Sequence, residues 1–284
     1  MLQNKRQSTP LHQLAARYNV YAIKDLLDEL EPADRVKLLS MQDDTQSSPL
    51  QQIAAHGSPI VIKSLLNELE PADRVKLLSM QDDKWSTPLH QLAASKYPDV
   101  IDTLLGELEP ADRVKLLSMQ DDKQSTPLHQ FAACRNVYAI KCLSAGLKPA
   151  GRVKLLGVQD DRESTPLHQS VAYRYRDAIH IVLGGLEAAD RVKLLSMRDD
   201  KQSTPLHQFA SRHNVYAIKY LLDELEPADR VKLLSLQDDK QSTLLHQLAD
   251  CRNFYTIKSL LHELEPADRV KLLSMQDDKQ STPL

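Results

Sequence analysis

Apolar residues recur along this chain at the three- and four-residue spacing of amphipathic helices. Leu11, Leu14 and Ala15 share one helical face, and after a break at Tyr18-Asn19 the residues Ile23, Leu26, Leu27 and Leu30 share another. A third, shorter stretch begins at Pro32 and brings Val36 and Leu39 to one side. The punctuation agrees. Thr9 is a good N-cap, and Pro10 follows at the first helical position, where a missing N–H costs nothing. Pro32 opens the third stretch, with Asp34 in its first turn and Lys37 toward its end, as the helix dipole favours. The pattern predicts a first helix from Pro10, a second from about Val20 to Leu30, and a short third from Pro32.

The pattern then repeats. Proline of the Ser-Thr-Pro-Leu-His motif stands at Pro10, Pro88, Pro127, Pro166 and Pro205, with Pro49 in a variant and Leu244 in its place further on. Each step is 39 residues, giving blocks 9–47, 48–86, 87–125, 126–164, 165–203, 204–242 and 243–281, and a partial unit 282–284. The expectation is one repeat domain over 1–284. No single block can close a core, but stacked blocks bury their apolar faces on one another. The expected fold is all-α: a solenoid of seven blocks, each with two antiparallel helices and a short third, and little or no β.

Composition narrows the picture. Seven glycines in 284 residues leave few positive-φ turns, so barrels, sandwiches and glycine-rich nucleotide loops are excluded. A net charge of −3 argues against a phosphate-backbone binder, so no nucleic acid is expected. No apolar run is long enough to cross a membrane, and Met1 to Ser8 is too polar for a secretory signal. Three cysteines, Cys134, Cys142 and Cys251, fit free thiols in a reducing, cytoplasmic compartment.

Thr9-Pro10-Leu11-His12, followed by Ile23 and Leu26-Leu27, resembles the ankyrin repeat, and the resemblance recurs in all seven blocks. It implies a scaffold or adaptor that binds another protein. The sequence departs from the family in its 39-residue period, against the usual 33 or so. The extra residues fall where the family has a β-hairpin finger, and Pro-Ala-Asp-Arg-Val-Lys-Leu-Leu predicts a helix there. The family's helix–helix turn glycine is kept only at Gly57. Long connections of this kind are similar to those of ankyrin proteins from intracellular bacteria, which implies an effector acting in host cytoplasm.

The recurrent polar residues read as structure. His12, His90, His129, His168, His207 and His246 hold one place in successive blocks, each expected to bond backbone at the joint; Gln51 there is expected to weaken its joint. Equivalent atoms of stacked blocks lie on the order of 10 Å apart, too far to share a metal. The Asp43-Asp44 pair and its equivalents read as a capping, solvated turn. No singular constellation marks an active site, so neither an enzyme nor a cofactor is expected. Five of the seven glycines, with Ser144 and Ala188, fall in blocks four and five and predict a softer joint at 144–190.

The blocks differ most at the end of the first helix. Their ninth residues are Arg17, His56, Ser95, Cys134, Tyr173, Arg212 and Cys251; their tenth are Tyr18, Gly57, Lys96, Arg135, Arg174, His213 and Arg252. By the ankyrin resemblance these line a groove rim. Cations and tyrosine there point to a ridge for an acidic segment of a partner protein, since Arg and Tyr are favoured at interface hot spots. The alternatives are cations that merely answer the helix dipole, and an architectural spacer with no dedicated partner. Trp85, the sole tryptophan, replaces a glutamine and is a candidate anchor. The chain stops where another block would start, and a monomer is expected unless that uncapped end self-associates.

Overall fold

Pro10–Ala16 illustrates how each block begins in this computed structural model, which describes residues 8–17, 19–56, 59–93, 99–134, 147–170 and 182–284. Thr9 is extended, at φ −74° and ψ 164°, and its side chain takes the His12 amide while the His12 ring reaches back to the Thr9 amide. This reciprocal cap recurs at Thr87, Thr126, Thr165, Thr204 and Thr243. Losing such a cap costs about 1 kcal/mol. The second helix of block one is Val20–Asp28 and the third is Pro32–Leu39. The described residues are helical apart from turns and one isolated bridge, Gln237 to Thr243.

The chain divides into two compact units, Met1–Leu147 and Lys148–Leu284. In the first, equivalent helices stack in columns. Pro10–Ala16 packs on Pro49–Ala55, which packs on Pro88–Leu92, which packs on Pro127–Ala133. Val20–Asp28, Pro59–Asn67 and Asp99–Gly106 form a second column, and Pro32–Leu39, Pro71–Leu78 and Pro110–Leu117 a third. The second unit repeats this with Pro166–Gln169, Pro205–Ser211 and Leu244–Asp250; with Val215–Asp223 and Phe254–His262; and with Pro149–Leu156, Ala188–Leu195, Pro227–Leu234 and Pro266–Leu273. Of the positions the spacing turned inward in block one, Leu11, Ala15, Ile23, Leu27, Val36 and Leu39 are buried, Leu14 and Leu30 are half-buried, and Leu26 is exposed, because it lies at the edge of the inward stripe; in block six Leu206, Phe209, Ala210, Ile218 and Leu222 are buried.

Polar joints register the columns. A backbone amide can only donate, so the bond from Thr204 N to His207 Nδ1 (3.2 Å) makes Nδ1 an acceptor. The proton therefore sits on Nε2, which donates to the Ser242 carbonyl just before the next cap, at 3.2 Å. His12, His90, His168 and His246 reach Ser47, Ser125, Ser203 and Ser281 in the same way. Gln51 reproduces both bonds: its Oε1 takes the Ser48 amide at 2.8 Å and its Nε2 donates to the Ser86 carbonyl at 2.7 Å. The joint expected to be weak is as well bonded as the others, because an amide also carries an acceptor and a donor at two ends.

Behind each third helix the chain makes a tight turn. In block six the Asp238 carboxylate accepts from the amides of Lys240 and Ser242, and Asp238 N donates to the Ser242 carbonyl. The second aspartate, Asp239, donates its amide to the Lys201 carbonyl of the preceding turn at 3.0 Å. Asp83 to Thr45, Asp122 to Lys84, Asp200 to Arg162 and Asp278 to Lys240 repeat this bond. The paired aspartates thus build a ladder of turns. Each turn holds a residue at positive φ, Gln46, Trp85, Gln124, Glu163, Gln202, Gln241 and Gln280.

Arginine ties successive blocks together. Arg230 Nε and Nη2 close the end of its own second helix, at Leu225 O (2.8 Å) and Asp223 O (3.1 Å), while Nη1 pairs with Glu263 of the next block. Arg35–Glu68, Arg74–Glu107 and Arg191–Glu224 are equivalent pairs. The predicted soft joint at 144–190 lies partly outside the described residues. Within them, block five departs: its first helix, Pro166–Gln169, is short, and Gly185 has φ +69°.

Candidate protein-binding surface

The first helix of block six ends at Ser211, and Arg212 follows as its C-cap. His213 then takes φ 59°, its amide donating to Ala210 O and that of Asn214 to Phe209 O, both at 2.9 Å. Block seven does the same: Arg252 takes φ 54°, with bonds to Ala249 O (2.7 Å) and from Asn253 to Leu248 O (2.8 Å). This left-handed helix ending is where glycine sits most easily. Asn214 and Asn253 then cap the second helices, accepting from the amides of Ala217 and Thr256. The turn glycine of the ankyrin pattern is therefore replaced by a histidine and an arginine in backbone that costs an ordinary L-residue about 1–2 kcal/mol.

Arg17, Arg212, His213 and Arg252 are exposed and His56 is half-buried. Arg212 and Arg252 belong to neighbouring blocks whose first and second helices pack together. Tyr18, Lys96, Arg135, Tyr173 and Arg174 lie outside the described residues. Cys134 and Cys251 are free thiols, Cys134 exposed. Burial, seconded by Asp250, pushes the Cys251 thiol up, and its Sγ lies 3.7 Å from the Ala210 carbonyl. Trp85 is 62% exposed but stands in the turn ladder, before the first helix, whereas the ninth and tenth residues follow that helix. The helix that follows it, Pro88–Leu92, spans about 7–8 Å, so the tryptophan stands at the start of that helix and not at the end that carries the ninth and tenth residues.

The structure adds residues that the repeat differences did not single out. Tyr216 and Tyr255 are 76% and 81% exposed, Tyr21 is 67% exposed and Phe254 is 54% exposed. The tyrosines all occupy the thirteenth place of their blocks, as does Tyr138. They open the second helix on its outward side, while Ala217, Ile218, Leu221 and Leu222 fill the inward side. Lys219 and Lys258, three residues beyond Tyr216 and Tyr255, are exposed too. Blocks six and seven thus carry Arg212, His213, Arg252 and two lysines beside three exposed aromatic rings; Asp250 and Asp223 are the exposed acids nearest in sequence.

No protein-family model and no curated protein matches the sequence. Solved structures do match by shape. One is the ankyrin repeat domain of Bcl-3, described as a unique member of the IkappaB protein family; it is 17% identical with a TM-score of 0.58, over 88% of this chain and 98% of that one. The fold is that of an ankyrin repeat domain. Stacked repeats of this kind present an extended surface built from neighbouring blocks. Among the described residues no helix is long and apolar enough to cross a membrane, and no group of three His, Cys, Asp or Glu is placed to hold a metal ion.

Proposed function

We propose that this chain is a non-catalytic interaction module that grips an acidic segment of a partner protein along the ends of its first helices and the starts of its second helices. The observation that carries this reading is at His213 and Arg252. Both are exposed and hold left-handed backbone that glycine would hold at lower cost. The turn ladder holds the same backbone at its own non-glycine residues, and what sets His213 and Arg252 apart is that beside them stand the exposed rings of Tyr216, Phe254 and Tyr255. Arginine with clustered aromatics is the composition of interface hot spots. Arg17 and Tyr21 extend the same reading to block one, and Trp85 would be a separate contact on the turn edge.

The test is affinity capture from cell lysate by the wild type and by a variant combining R212S, H213S, Y216S, R252S and Y255S, both shown helical by circular dichroism. A partner held by the wild type and lost from the folded variant supports the reading. Equal capture by both contradicts it, and capture of nothing by either favours an architectural spacer.

A further inference from the structure

Six of the seven third-helix arginines share one arrangement. Arg35, Arg74, Arg113, Arg191, Arg230 and Arg269 each donate Nε to the leucine carbonyl five residues earlier, at 2.7–3.0 Å. Arg152 alone does not. Its Nε is buried and has no acceptor among the described residues, and its Nη1 turns instead to the Gly184 carbonyl of the next block at 2.7 Å. Its carboxylate is missing as well. Glu68, Glu107, Glu224 and Glu263 stand at the twenty-first place of their blocks, and the residue there in block five is Gly185. A Cβ on Gly185 would meet only Arg152 Nη2, at 3.5 Å, among the described residues, so Nη2 faces the glycine that stands where other blocks carry glutamate.

The charge around Arg152 has shifted in the same direction. Other blocks open this helix with Glu-Pro-Ala-Asp-Arg or Glu-Ala-Ala-Asp-Arg, whereas block four has Lys148-Pro149-Ala150-Gly151-Arg152, followed by Lys154. Lys148 and Lys154 are exposed. The next acids in sequence, Asp160, Asp161 and Glu163, belong to the turn behind this helix, Glu187 and Asp190 open the third helix of block five, and among the described residues Arg152 pairs with none of them.

We infer that Arg152 forms a carboxylate-binding site, with Gly184 and Gly185 as its open wall and Lys148 and Lys154 as its cationic rim, and that it takes a glutamate side chain of an acidic peptide. The peptide carboxylate stands in for the neighbouring block's own glutamate, pairing with Nη2, which faces Gly185, because Nη1 is held by the Gly184 carbonyl. Carboxylate binding here stands on the Arg152 geometry alone; its use in holding a partner rests on the function proposed above.

The test uses the full chain and a fluorescein-labelled hexaglutamate peptide, with binding read by anisotropy and the Arg152 Nε–Hε cross-peak followed by NMR. Wild type is expected to bind with movement of that cross-peak, and R152Q to bind about tenfold more weakly, the loss of a charge-assisted bond. K148E/G151D restores the acids of the other blocks and is expected to weaken binding while the chain stays folded. R191Q, whose arginine already holds Glu224, is the control and is expected to bind like the wild type. Equal binding by wild type, R152Q and K148E/G151D overturns the inference, as does a wild type that binds nothing. An R212S/H213S/R252S variant separates the two proposals. Loss in R152Q but not in that variant supports this site whatever becomes of the surface on blocks six and seven. The reverse overturns this site and leaves that surface standing.

Discussion

Replacing His207 tests the idea that each joint is two directed hydrogen bonds and not an imidazole as such. Thr204, which donates to Nδ1, is fully buried at 0% exposure, so its amide cannot turn to water. Leaving it unpaired costs toward the upper part of the usual 1–3 kcal/mol or so. The Ser242 carbonyl, which accepts from Nε2, is half-buried and loses less. His207→Leu keeps the volume and removes both bonds, so it is expected to cost about 2–4 kcal/mol. His207→Gln carries an acceptor and a donor at the right ends, as Gln51 does naturally, and is expected to cost under about 1 kcal/mol. The assay is urea unfolding followed by far-UV circular dichroism, with the slope checked for constancy so that midpoints report stability. If the leucine and glutamine variants lose the same stability to within about 0.5 kcal/mol, the bonding account of the joint is wrong.

Acid should loosen the same joints. Burial holds the His90 and His207 imidazoles below the ordinary value, against the Ser125 and Ser242 carbonyls and the nearby Asp121, Asp82, Asp238 and Asp199 that pull them up, with Arg198 reinforcing burial at His207. The unfolded chain therefore takes up protons first as pH falls through about 6.5, so stability is level above pH 7 and declines below that point; a variant with glutamine at both positions is expected to decline less, by urea midpoint against pH. His213→Gly and Arg252→Gly relieve left-handed backbone and are each expected to stabilise the fold by about 0.5–1 kcal/mol in urea unfolding while weakening partner capture. Arg230→Gln is expected to lower the urea midpoint clearly, because it unbinds two carbonyls at a helix end, whereas Glu263→Gln removes only an exposed ion pair and is expected to leave the midpoint nearly unchanged.

Caps, prolines and apolar spacing made the three helices of each block legible, because those signals act within one or two turns of chain. Thr204, Pro205 and Leu206 announce a helix start whatever surrounds them. The role of the histidines was legible too, since recurrence at one place in every block argues against a singular site. Four features were not. The Arg230–Glu263 pair joins residues 33 apart, a spacing that has no local period to betray it. Gln51 reads as a defect by residue type, yet the acceptor and donor of its amide make the same two bonds as the histidines. Tyr216 and Tyr255 carry no such signal, because an outward tyrosine beside inward isoleucine reads as ordinary helix surface. The turn ladder likewise depends on Lys201 and Asp239 meeting across blocks, which stacking brings about and neither segment signals.

Site-specific photo-crosslinking measures the central claim most directly. A photoreactive phenylalanine analogue placed at Tyr216 or Tyr255 replaces one exposed aromatic ring by another and leaves the packed side of the helix untouched. The same analogue at Lys232, exposed on the third helix of block six, serves as the reference. The account predicts that one and the same protein is crosslinked from positions 216 and 255 and not from position 232. Labelling of equal strength from all three positions, or different proteins from 216 and 255, would contradict a shared binding surface on blocks six and seven.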